Sequence, residues 1–234
     1  MIISRPEYAE AQAISARLTR VLLSFPLVGV DGANLRTAVG RLLDNFYEYA
    51  RGGIVGTQLL VCFDLARLAG ATLTIMDDVR MAAELETPKF ALGQVVVNAA
   101  IIFTLAEQTQ IITQMTFVSR NDVNKLMDTM SVTIDEIKLR GSESFTVNDY
   151  RNVVSMSALL IHHMSATERR LPMLVDYKIA TNLPALTLSN FIYGDGKHSD
   201  ELVAEQLAAI PRATSNREQD LMSLVCRHRR MILF

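Results

Sequence analysis

The stretch FIYGDGKHSDEL, residues 191 to 202, gathers carboxylates, a lysine and a histidine around two glycines, the composition of a phosphate or calcium loop. A phosphate loop of the form G-x-x-x-x-G-K-[ST] brings backbone amides and a magnesium-binding hydroxyl together on the phosphates. Here Phe191 holds the place of the first glycine and His198 that of the hydroxyl residue, so the pattern fails. A calcium loop alternates oxygen ligands and turns sharply on a central glycine. Counted from Asp195, Lys197 holds a ligand place and Asp200 holds the glycine's, so that pattern fails too.

The other chemically capable residues give no convergent set. His162 and His163 are adjacent, which on a helix splays them and denies the i, i+4 geometry of a zinc helix. Asp77 and Asp78 have no third carboxylate at a helical spacing and suit a cap or a solvated face. GGIVG, residues 52 to 56, lacks the preceding strand of a dinucleotide fingerprint, and no G-x-S-x-G elbow occurs. Cys62 and Cys226 fit no metal spacing and suit buried thiols or a reducing compartment. No catalytic, cofactor-binding or metal-ligating residue is expected, and no cofactor.

The elements that would position a site are helical nearly throughout. After Asp31, a candidate N-cap, Leu35, Val39, Leu42, Leu43, Phe46 and Ala50 recur at helical spacing until Gly52 and Gly53. Ser119-Arg120-Asn121-Asp122 and Thr146-Val147-Asn148-Asp149 are capping boxes. The first opens a stripe of Val123, Leu126, Met127, Met130, Ile134 and Ile137 up to Gly141; the second opens one of Tyr150, Val153, Val154, Ser157, Leu160, Ile161 and Met164. Residues 5 to 25, 55 to 69 and 74 to 84 read as further helices. FPLVGV and RMILF have strand composition but no partner in view. The expected fold is all-α, a multi-helix bundle over 1–175 with a small C-terminal helical unit over 176–234 that resembles a LysM-type helix pair; Pro172 and Pro184 mark the soft boundary.

Half of the 234 residues are apolar, enough for a large core, and a formal net charge of −2 supplies no field favouring nucleic acid or acidic lipid. FALGQVVVNAAIIFTLA, residues 90 to 106, approaches the length of a membrane span, but Gln94 and Asn98 interrupt it and Lys89 and Glu107 bracket it, so a buried central helix is expected and no span. Arg5 and Glu7 stand where a secretory signal would be apolar, which predicts a cytosolic start. At the other end, Arg227, Arg229 and Arg230 precede the apolar run Met231, Ile232, Leu233 and Phe234. Either these close a last helix and cover a core edge, or they form a tail that docks on a neighbouring subunit; both readings stand. Tyr193, Gly194, Asp195 and Ser199 read as a structural turn between two helices, with Gly194 at positive φ and Asp195 and Ser199 as caps. Leu202, Val203, Leu207 and Ile210 would pack back on Leu188 and Ile192.

NLPALTLSNFIYGDGKHSDELVAEQLAAIP, together with FVSRNDVNKLMDTMSVTIDEI upstream, resembles the phage DNA-circularisation protein family, the Mu-like tail and baseplate N proteins. In that family a Leu-Pro-x-Leu-x-Leu helix runs into Tyr-Gly-Asp and then an Asp-Glu-Leu helix. The resemblance extends in pattern over about residues 5 to 211; Gln206 stands where the family carries asparagine, the following His-Pro pair is missing, and no counterpart of the family's separate N-terminal domain is expected. It implies a non-enzymatic structural component of a contractile tail, a baseplate or hub adaptor in the virion, made in the host cytoplasm. Its implied partners are other tail and baseplate proteins and further copies of itself. The alternative it implies is a DNA-associated factor for genome circularisation or protection, with nucleic acid the less favoured partner.

Overall fold

The computed structural model describes residues 4–177, 184–197, 199–200, 203 and 229–233. The chain is an all-α multi-helix bundle, and its described residues also include a two-stranded ribbon. In order, α1 spans Arg5–Leu22, α2 Gly29–Asp44, α3 Phe46–Arg51, α4 Val55–Leu68, α5 Leu73–Glu84, α6 Ala91–Gln114, α7 Arg120–Ser144 and α8 Val147–Glu168; then come β1 Met173–Tyr177, α9 Ala185–Tyr193 and β2 Arg229–Leu233.

Two compact units divide the chain: one comprises 1–116 and 125–167, the other 117–124 and 168–234. The boundary expected between 175 and 176 therefore lies inside β1, and the second unit also takes in a short internal segment. Proline and composition marked the neighbourhood, whereas the division depends on which distant segments hold one another.

In the first unit α6 is the central element, packed against α1, α4 and α5, while α2 packs on α4. Its helix is long and apolar enough to cross a membrane, yet Val96, Val97, Ala100, Ile101, Leu105 and Ile112 are buried within the unit. Leu18, Leu22, Leu35, Phe46, Leu59, Phe63 and Met76 complete the core around it. The N-terminus of α6 has no cap from its own flanking residue Phe90. Instead α1 supplies one: the Glu10 carboxylate accepts from the amides of Lys89 (2.9 Å) and Phe90 (3.0 Å), and Glu7 accepts from Leu92 (3.3 Å). Carboxylates are favourable there because the first amides of a helix lack intrahelical acceptors and carry the positive end of its dipole.

Several local expectations are corrected. The single helix expected from Asp31 to Gly52 breaks at Asn45, whose side-chain amide donates to Arg41 O at 3.1 Å and competes with the backbone pattern. Helix α2 starts at Gly29, so Asp31 lies in the first turn rather than at the N-cap. Helix α7 runs past Gly141 to Ser144. In both capping boxes the hydroxyl accepts from the third amide as expected, at 3.2 Å for Ser119 and for Thr146. The partner aspartate accepts from that hydroxyl itself at 2.7 Å, since aspartate is one methylene shorter than the glutamate that ordinarily reaches back to the backbone.

The second unit contains the largest departure. RMILF lacked a visible partner in the sequence; in the structure β2 pairs antiparallel with β1, Met173 opposite Leu233 and Tyr177 opposite Arg229. The pairing joins segments far apart in the chain, so no hairpin pattern announces it. The unit also ties the start of α7 to the segment before β1: Arg120 N donates to Pro172 O at 2.8 Å, and Asn124 Nδ2 to Glu168 Oε1 at 3.4 Å.

Candidate functional site

The residues singled out as a turn and as a candidate interface fall on two features, and the structure adds a third. The first is the turn after α9. Gly194 takes φ 76° and ψ 1°, and its amide donates to Asn190 O at 3.0 Å, closing α9 in the left-handed conformation that side chains with a Cβ resist. A Cβ on Gly196 would lie 2.7 Å from Leu186 Cδ1, so the second glycine allows the loop to close against the helix. Buried Ser189 donates from Oγ to Asp195 O at 2.6 Å, and Asp195 Oδ1 accepts from Lys197 N at 3.2 Å. Helical backbone resumes at Ser199. Asp195 thus braces its own loop, and Tyr193 is the last residue of α9. Val203, expected to pack back on α9, is exposed. The same packing expected of Leu202, Leu207 and Ile210 lies outside the described residues.

The second is the C-terminal run. Arg229, Arg230, Met231, Ile232 and Leu233 form β2; Arg227 and Phe234 lie outside the described residues. The backbone of this run pairs with its own chain, which replaces the expected closing of a helix by a strand.

The third feature, which sequence reasoning missed, is a pair of buried ion clusters in the first unit. Glu107 on α6 is fully buried, and its Oε2 accepts from Arg67 Nε of α4 at 2.6 Å. Asp64, one turn earlier on α4, lies 3.6 Å from the same arginine and is partly exposed. Burial pushes the Glu107 carboxyl up to about 7; the Arg67 hydrogen bond opposes that rise and the neighbouring Asp64 carboxylate adds to it. Glu107 Oε1 has no hydrogen-bond partner, which suits a carboxyl that carries a proton part of the time. The arrangement can exchange one proton near neutral pH and ties α4 to α6.

Arg80 on α5 forms the other cluster. It is almost fully buried and donates to Asp77 (2.9 Å), Glu84 (2.7 Å) and Glu136 of α7 (3.2 Å). Burial works against its charge, but the hydrogen bonds and charges of Asp77 and Glu84 raise its pKa further above the ordinary arginine value. Arg140 of α7 donates to Glu84 O at 3.1 Å beside it, and Asn98 of α6 donates to Ser144 O at 2.7 Å, so α7 is bound to α5 and α6 through polar groups.

Asp77 therefore acts as an arginine partner, and no group of three metal-ligating side chains occurs among the described residues. His162 is exposed and His163 half-buried, so neither faces the core fully. Cys62 is buried, which pushes its thiol up to about 12 and leaves it inert; Cys226 lies outside the described residues. One signal pointed to the Glu107 cluster: Glu107 is the sole charged residue between Phe90 and Met115. Read along the chain it marked the edge of an apolar stretch, while in the fold it lies within the core.

The chain matches no family model and no curated protein.

Proposed function

We propose that the protein is a non-enzymatic structural component of a phage or phage-like contractile tail, a baseplate or hub adaptor that packs against tail-tube or hub subunits and against copies of itself. On this reading it is made in the host cytoplasm and incorporated into the virion. The observation that carries the proposal is the Tyr193-Gly194-Asp195 motif, on which the family resemblance rests: its glycine and aspartate serve backbone geometry, as expected of an architectural turn. The exposed aliphatic side chains on α7 and α8 supply surface for assembly contacts.

Quantitative mass spectrometry of purified particles tests this by counting copies of the chain against the tail-tube subunit. A fixed small-integer ratio is expected. Absence from the particle would overturn the structural role and leave a genome-handling factor, whose DNA binding should fall steeply with added salt.

A further inference from the structure

Helix α8 turns two kinds of surface outward, one of which the sequence pattern assigns to the core. Val153, Ser157, Leu160 and Met164 are buried, but Val154 and Ile161, which share their stripe in the sequence, are exposed. With Val147 they form a second line at seven-residue intervals along the outer face. Val147 is 69% exposed. The remaining exposed positions of α8 include Asn148, Arg151, Asn152, Ser155, Ala158 and His162; none is acidic. An aliphatic line with small neighbours and one fixed positive charge has the composition of an interface centre, where charged residues are depleted.

Helix α7 carries the counterpart. Val132 and Leu139 are exposed, Leu139 by 73%, and also lie seven residues apart. Around them Asp128, Asp135, Glu136 and Glu143 are exposed, against Lys125 and a half-buried Lys138 that pairs with Asp135. The α7 line is therefore aliphatic with an acidic surround, while Arg151 is the one exposed fixed charge beside the α8 line.

Lines repeating every seven residues on two helices mesh at a shallow crossing angle, ridges of one between residues of the other. Here the two lines match in repeat, the acidic surround of one suits Arg151 beside the other, and every copy carries both. We propose that the outer faces of α7 and α8 form a self-association surface whose occupant is a second copy of this chain, α7 of one copy lying on α8 of the next. A two-fold arrangement makes the contact twice, and a head-to-tail arrangement makes it once per copy and closes a ring or extends. The proposal names a surface for the self-contact put forward above, yet it stands without the tail assignment: self-association is measured on the purified chain, the tail role on the particle.

Sedimentation velocity of the full chain over a concentration series should show self-association. Val154→Glu places a carboxylate against the acidic surround of α7, and Leu139→Lys places an ammonium against the Arg151 side of α8. Each alone should weaken association at least about tenfold, while far-UV circular dichroism stays unchanged because both positions are solvent-accessible. Mixing the two variants should restore association, because the carboxylate introduced on α8 of one copy then meets the ammonium introduced on α7 of another. A monomer at every concentration would overturn the proposal, and so would association that neither variant weakens. Failure of the mixture to recover would overturn it as well, since that result means α8 meets something other than α7.

Discussion

The two buried ion clusters are mirror images in charge. At Arg67 and Glu107 the carboxylate is fully enclosed and the arginine lies nearer solvent, with side-chain exposures of 0% and 15%. At Arg80 the cation is enclosed, at 7%, and its three carboxylate partners reach outward. The difference matters because a carboxylate can escape burial by taking a proton, whereas a guanidinium stays charged and must be supplied with partners. The first cluster accordingly holds one hydrogen-bonded ion pair and a carboxyl pushed up to about 7, and the second supplies its cation with three carboxylate partners.

The comparison breaks most severely at Arg67. Arg67→Met leaves Glu107 buried either as a lone carboxylate or as an acid that must take up a proton at pH 8, and should cost about 3 kcal/mol in urea unfolding. The loss should shrink at pH 5, where Glu107 is protonated; an equal loss at both values would mean that Arg67 acts through packing alone. Next is the pH dependence of the intact chain. The folded pKa of Glu107, about 7, lies above its ordinary 4.5, so the folded state holds the proton more tightly. That stabilisation is complete below the ordinary value and is lost as pH rises through the folded one. The contribution is up to about 3 kcal/mol. Glu107→Gln should remove this slope, and a variant whose stability still falls with pH as in the parent would assign the slope to another group.

Smaller effects belong to the second cluster. Arg80→Met leaves Asp77, Glu84 and Glu136 able to hydrate, and should cost roughly 1 kcal/mol, from mutual repulsion and lost hydrogen bonds. A loss as large as that of Arg67→Met would show that the direction of burial does not set the cost. Glu136→Gln should change stability least, by about 0.5 kcal/mol or less, because this partner is 57% exposed and its bond to Arg80 is the longest of the three.

Legibility followed the range of the interactions. Gly194 could be read because positive φ is a property of one residue and its immediate neighbours, and the boxes at Ser119 and Thr146 because a cap closes within one turn. The break at Asn45 is local too, but the unbroken apolar periodicity across it concealed the competing side-chain bond. Glu107 and Arg67 are separated by 40 residues, and nothing in either helix alone says that they meet. The carboxylate caps on α6 come from α1, at separations of 79 to 85 residues.

By itself the sequence determined the helices, their punctuation and the sign of their faces, because apolar periodicity and capping act through bonds and side chains a turn apart. The tertiary structure decided which edge of each apolar stripe is buried, which turned Val154 and Ile161 outward on α8 while Val153 and Leu160 went in. It also decided that a lone glutamate on an apolar helix would face an arginine, and that RMILF would find a strand at Met173. These choices depend on which distant surfaces come together, and a helical period is equally compatible with several of them.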